Sequence, residues 1–183
     1  MVQTRLVTID QFEDFIALAE NADRRFELIH GEVVEKMPTE KHSMCSANLY
    51  DALRDFVKPR DLGRVLFEVR RKIPGDEHNA RLPDVEFTSK ARLLPVVSQG
   101  AVPQMPDLAI EIKSPSDTNI DLREKALYYL KNGSRMVWLV FTDKKQVEVY
   151  TEESVITLSI DDMLDGGDVL PGFTMAVKAI FAE

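Results

Sequence analysis

The sequence predicts an α/β fold, a single domain in which a mixed β-sheet is flanked by helices. Three observations carry this. Residues 135–141 (RMVWLVF) are almost continuously apolar, as expected of a strand covered on both faces. In residues 108–113, Leu108, Ile110 and Ile112 alternate with Ala109, Glu111 and Lys113, the two-residue period of a strand. Between such runs lie stretches with apolar residues at helical spacing, so helices and strands are interspersed along the chain.

Taken in order, Thr8 and Gln11 form a capping box, and Phe12, Phe15, Ile16 and Ala19 follow on one face of a helix over 8–20. Residues 26–36 read as two short strands around the turn His30-Gly31. A second helix begins near Thr39, just after Pro38, and runs to Val57 with Cys45, Leu49, Ala52, Leu53 and Phe56 on one face; Pro59 ends it. Alternation predicts a strand over 65–73, followed by a polar loop through Pro74, Gly75 and Asn79. A short strand over 82–88 is entered through Pro83, and residues 92–105, with two prolines and a glycine, are irregular.

The central strand is 108–113. Residues 114–119 turn the chain and cap a helix over 120–131, which stops at Asn132-Gly133. Ser114 and Ser116 flank Pro115 in that turn and serve as caps, since no Gly-x-Ser-x-Gly elbow is present. After the strand 135–141, whose Trp138 belongs to the core, Lys144-Lys145 turns the chain into strands over 146–151 and 154–158. A short helix near 160–164 and a last strand over 174–181 close the domain. The organisation expected is one domain over 1–183, with 1–25 as a helical N-terminal extension.

Length and composition agree with this. The chain has 183 residues, long enough for a real core, and is 44% hydrophobic and 30% charged, a globular and not a disordered balance. One cysteine, Cys45, excludes an intramolecular disulfide and fits a reducing compartment. Neither a secretory leader nor a transmembrane run of about 20 apolar residues is evident, so a cytoplasmic location away from membranes is expected. The net charge of -8 argues against broad nonspecific affinity for nucleic acid. It is unevenly spread: residues 54–72 carry seven basic and three acidic side chains, residues 143–183 three basic and nine acidic. A local basic surface and two differently charged solvated faces both satisfy that distribution.

Chemistry is expected at PDLAIEIKSP, residues 106–115. A carboxylate and an ammonium two residues apart in an apolar strand are costly unless they bind something. Asp107 lies roughly 13 Å from Glu111 along a strand rising ~3.3 Å per residue, too far to share an ion, and instead fixes the strand entrance. The better partner for Glu111 is Asp84, at the start of another apolar strand. If those strands are neighbours, ~4.8 Å apart, both carboxylates reach one hard cation such as Mg²⁺. Lys113, on the Glu111 face by alternation, then assists a metal-bound water or neutralises charge on a phosphoryl group. Zinc is unsupported: there is no paired cysteine, and His30, His42 and His78 are the only histidines.

Pro83-Asp84 followed by Glu111-Ile112-Lys113 resembles the PD-(D/E)XK, or restriction-endonuclease-like, nuclease superfamily. The resemblance extends to one branch of it, the Uma-two family. Gly31-Glu32-Val33-Val34, Met37-Pro38 and His42 are similar to its N-terminal signature. So are Pro106-Asp107-Leu108, Ser114-Pro115-Ser116-Asp117, Asp121, Lys125, Gly133 and Val137-Trp138-Leu139-Val140 to its middle. Val149-Tyr150 and Leu170-Pro171-Gly172-Phe173 resemble its C-terminal part. The likeness runs from about Phe26 to Phe181.

The resemblance implies a restriction-endonuclease-like sheet and a metal-dependent phosphodiester hydrolase acting on nucleic acid, DNA first, with Asp84 and Glu111 as ligands of Mg²⁺ or Mn²⁺. It also implies a lysine and an N-terminal carboxylate. Many relatives carry only the lysine corresponding to Lys125; here Lys113 and Lys125 both occur, and alternation favours Lys113. Glu32 is preferred over Glu35 as the N-terminal carboxylate, an exposed hairpin glutamate being the alternative. His42 contacts a phosphate or a water of the metal, or else caps or packs its helix. A homodimer follows the family's habit. The competing expectation is a noncatalytic metal-binding or protein-interaction module that keeps the fold.

Overall fold

The computed structural model describes residues 6–183. Its elements are α1 (Ile9–Ile16), β1 (Arg25–Ile29), β2 (Glu32–Lys36), α2 (Glu40–Val57), β3 (Gly63–Phe67), β4 (Val85–Ser89), β5 (Leu108–Ile112), α3 (Asn119–Lys131), β6 (Met136–Phe141), β7 (Gln146–Thr151), β8 (Val155–Leu158), β9 (Met163–Asp165), β10 (Thr174–Ala176) and α4 (Val177–Ile180). Two compact units result. One comprises the chain up to Met37 with Val69–Leu82 and Val96–Met105, the other Pro38–Glu68, Pro83–Pro95 and Pro106–Glu183.

The larger unit is an α/β fold built on a six-stranded mixed sheet in the order β3-β4-β5-β6-β7-β8. Its neighbours are antiparallel except β5 and β6, which are parallel, and α3 is the crossover that parallel pairing requires. Every residue of β5 and β6 is buried. One face of the sheet carries Phe87, Leu108, Ile110, Ile112, Trp138 and Val149 in a core shared with Cys45, Leu49, Leu53 and Val57 of α2. The other face presents Glu111 toward α3, whose buried residues are Leu122, Lys125, Ala126 and Tyr129. Helices therefore flank the sheet on both faces, as composition and periodicity predict.

The smaller unit holds α1 and the β1–β2 hairpin. His30 and Gly31, at φ 50° and 80°, form the two-residue turn with both residues left-handed that matches the twist of a hairpin. Phe12, Phe26, Leu28 and Ala80 are the centre of its core. The capping box of Thr8 and Gln11 is present, but α1 ends at Ile16 and a short 3-10 turn, Ala19–Asn21, follows.

Three segments differ from the sequence expectation. The strand expected over 65–73 stops at Phe67, because Glu68 turns into the left-handed region at φ 50° and pairing with β4 ends at Phe67↔Val85. The helix expected near 160–164 is a turn: Ser159 donates from N and Oγ to Asp162, which mimics a helix cap, and the chain then pairs as β9 with β10. The strand expected over 174–181 lasts only to Ala176. Val177 and Ile180 are both buried at a spacing of three, which a helical turn satisfies and a strand does not. Among the described residues no helix is long and apolar enough to cross a membrane.

Candidate active site

β4 and β5 pair only from Phe87↔Leu108 to Val85↔Ile110, so β5 runs on past the start of β4. On its other side β5 stays paired with β6 through Glu111↔Leu139 and Ile112↔Val140. Asp84 fills the opening. Its main-chain N–H donates to Ile110 O at 3.0 Å, and its Oδ2 accepts the N–H of Ile112 at 2.7 Å. That N–H belongs to the peptide joining Glu111 to Ile112, so the carboxylate of Asp84 is fixed at the Glu111 position.

His42 Nε2 stands 3.1 Å from the same Oδ2, and both residues are buried. The first turn of α2 sets this contact: Thr39 caps the helix by accepting the N–H of His42, and the ring leaves from that turn.

Glu111 is 1% exposed, and both of its oxygens are engaged from α3. Tyr129 Oη donates to Oε1 at 2.7 Å, and Lys125 Nζ lies 3.3 Å from Oε2. Lys125 and Tyr129 are four residues apart and so share one helix face. The capping box of Thr118 and Asp121 fixes the start of that helix, in place of the caps expected from Ser114 and Ser116; Ser114 instead donates from N and Oγ to Asp117 in the preceding turn. A buried carboxylate with a charged and a neutral donor is the arrangement that burial demands.

Of the two lysines, Lys125 is the one that touches Glu111. Lys113 lies one residue past β5, and its Nζ pairs with Asp143 at 3.2 Å, where Asp143 is half exposed. Burial pushes the Asp143 carboxyl up, but the hydrogen bond and charge of Lys113 outweigh it and hold the group below its ordinary value. Asp107 is fully buried at the entrance of β5, where it accepts from Ser89 N at 2.7 Å and from Arg92 Nη1 at 2.8 Å. Glu32 opens β2 in the smaller unit and is exposed.

Two residues escape sequence reasoning. Tyr129 is one, and its signal is the four-residue spacing from Lys125. Glu86 is the other: it is 1% exposed and opposite Ala109, which puts it on the Glu111 face of the sheet. Its signal is the alternation Asp84-Val85-Glu86-Phe87, the same charged-apolar pattern as in β5.

A cavity of about 350 Å³ opens beside Asp84, with His42, Tyr50, Phe67 and Glu68 among its walls. Among the described residues no three His, Cys, Asp or Glu side chains are gathered into a metal cage. Asp84 and Glu111 are nevertheless buried carboxylates on neighbouring strands, Asp84 bonded to the peptide that follows Glu111, and such oxygen donors are the kind a hard cation takes. Mg²⁺ favours oxygen donors and is commonly held by one or two carboxylates, with waters and substrate phosphates completing its shell. Asp84 and Glu111 would hold it.

A crystal structure described as "a putative nuclease belonging to DUF820", from Anabaena variabilis, superposes with a TM-score of 0.79 and 25% identity, covering 96% of this chain and 97% of that one. A cryo-electron-microscopy structure described as a DrdV–DNA complex aligns with a TM-score of 0.43 and 20% identity, over 78% of this chain and 12% of that one, too low to argue from. No curated protein matches the chain. The Uma2 family, described as "Putative restriction endonuclease", matches residues 12–178, nearly the whole sequence, and the chain belongs to that family.

Proposed function

We propose that this chain hydrolyses phosphodiester bonds of nucleic acid with a divalent cation, Mg²⁺ or Mn²⁺, held by Asp84 and Glu111. The observation that carries the reading is that the buried Asp84 carboxylate accepts the N–H of the peptide following buried Glu111, whose own carboxylate has the Lys125 ammonium 3.3 Å away. When bound, the ion supplies Lewis-acid chemistry, lowering the pKa of water and offsetting charge at phosphorus. The chain's own residues do the rest. Tyr129 holds Oε1 of Glu111, and Lys125 neutralises negative charge as it develops at phosphorus. His42, against Asp84, orients that carboxylate toward the cavity. Arg54, Lys58 and Arg60, exposed at the end of α2, suit phosphate backbone contacts in an otherwise acidic chain.

DNA in the cytoplasm is the substrate and setting we favour, and pairing of two copies would double that basic surface. The test is cleavage of plasmid DNA and of RNA with Mg²⁺ or Mn²⁺ by the intact protein and by Glu111→Ala and Glu111→Gln. Folded variants are expected to lose metal-dependent cleavage; unchanged cleavage refutes the assignment.

A second reading rests on one observation. Protein donors already engage both carboxylates: Ile112 N–H and His42 on Asp84, Tyr129 and Lys125 on Glu111. A noncatalytic module that keeps the nuclease fold would look the same. Calorimetric titration with Mg²⁺ or Mn²⁺, followed by incubation with DNA and RNA, separates the two. Metal binding without cleavage of either polymer favours the module.

A further inference from the structure

The cavity beside Asp84 has an aromatic wall that the reaction itself does not use. Phe67, the last residue of β3, is 58% exposed, a large apolar side chain left facing solvent. Its ring meets that of Tyr50 edge to face, with centroids 5.3 Å apart and planes at 89°, so its position is fixed by α2. The backbone holds it from the other side. Glu68 adopts φ 50°, uncommon for a residue with a side chain, and its N–H donates to Pro83 O at 3.2 Å, one residue before Asp84. Phe67 and Asp84 are thus each one residue from an end of this hydrogen bond between two segments.

We propose that Phe67 and Tyr50 form a stacking platform for an unpaired nucleobase next to the scissile phosphate, so that the preferred substrate is single-stranded or locally unpaired nucleic acid. The inference rests on the nuclease reading and adds the substrate's strand state to it.

Three features of the cavity select a base over other parts of a nucleic acid. Its volume, about 350 Å³, is at the small end of ligand pockets, which run from roughly 300 to 1,000 Å³, and suits one flat ring system. Asp51 and Glu68 sit among its walls with Asp84. A carboxylate that holds no cation, as at Asp51, repels a phosphate but accepts hydrogen bonds from the amino and ring N–H groups of a base. An exposed aromatic face stacks with any base, since every base has a π-face, whereas a base kept within a paired duplex leaves no face available to it.

The test uses the full chain with Ca²⁺ in place of the catalytic metal and three oligonucleotides of one sequence: single-stranded, fully paired, and paired with one bulged base. The single strand and the bulge carry 2-aminopurine at the unpaired position. Wild type is expected to bind both more tightly than the paired duplex and to quench their fluorescence. Phe67→Ala should abolish the quenching and weaken both complexes by about 5- to 150-fold, the range of one lost base–aromatic stack. Phe67→Trp should restore both. Quenching by only one of the two probes supports the platform and identifies the source of its base. Equal affinity for the paired duplex, or quenching and affinity unchanged in Phe67→Ala, overturns the platform while leaving the nuclease reading intact. Failure of wild type to bind any of the three overturns both.

Discussion

The carboxylate of Asp84 accepts the N–H of Ile112 at 2.7 Å, two residues beyond the last β4–β5 pair, and so replaces a main-chain acceptor that β4 no longer supplies. The sheet opens at that point without leaving a buried donor unpaired, and a side chain able to hold a cation ends up where the strands part. One residue thereby serves the sheet and the site.

That double role separates two substitutions. Asp84→Ala leaves Ile112 N–H without its acceptor and should lower stability by about 1–3 kcal/mol in urea denaturation. Asp84→Asn keeps an acceptor oxygen of similar reach and should retain most of that stability while losing metal affinity. Equal destabilisation by both would mean that the Ile112 bond does not hold the edge.

Lys125 and Lys113 should part in the same way. Lys125 lies against buried Glu111, so Lys125→Ala should reduce cleavage by about 10²- to 10³-fold in kcat, the usual loss on removing one group that stabilises charge in a dry site. Lys113 pairs with half-exposed Asp143, a contact in the range of about 0–1 kcal/mol, and Lys113→Ala should change kcat by only a few-fold. Comparable losses in the two variants would remove the distinction.

The lysines also mark where sequence reasoning stops. The strands β5 and β6, the α2 stripe of Cys45, Leu49 and Leu53, and the helix starts at Thr8 and Thr39 are legible because period and capping are local, whereas the cap of α3 is Thr118 and not Ser114 or Ser116. Adjacency of the Asp84 and Glu111 strands was a condition in the sequence and a fact in the sheet. Alternation puts Lys113 on the Glu111 face, and its N–H still bonds Val140 O, but its long side chain carries the ammonium to Asp143, a contact that strand period does not encode. What buries Lys125 and Tyr129 is the sheet across from α3, a tertiary relationship that helical periodicity cannot encode. The turn at Glu68 and the short α4 failed for a related reason: neither carries a glycine or proline to mark the change of backbone.

Cys45 offers a probe of the core. It is 1% exposed on the face of α2 that covers the sheet, and burial pushes its thiol up. The native protein should resist Ellman's reagent at about pH 8, where a free thiol near 8.5 reacts readily, and release one equivalent in denaturant. Rapid reaction of the native protein would mean that α2 opens from the sheet at little cost.

Asp107 should make the fold sensitive to acid. Burial pushes its carboxyl up, but the Ser89 N–H and the Arg92 guanidinium outweigh that and hold it below its ordinary value. A carboxylate with a depressed folded pKa leaves the unfolded chain binding more protons through that window, so stability rises with pH there. Its contribution is fully present above the unfolded value, about 3.9, and is lost as pH falls through the lower folded one. Urea denaturation between about pH 2.5 and pH 6 should therefore show wild type losing stability at the acid end. In Asp107→Asn, which cannot titrate, the slope should be shallower by the share that Asp107 carries. Arg92→Ala should shrink it as well, because the guanidinium is one of the groups that hold the carboxyl down. Identical slopes in wild type and Asp107→Asn would show that other carboxylates govern acid unfolding.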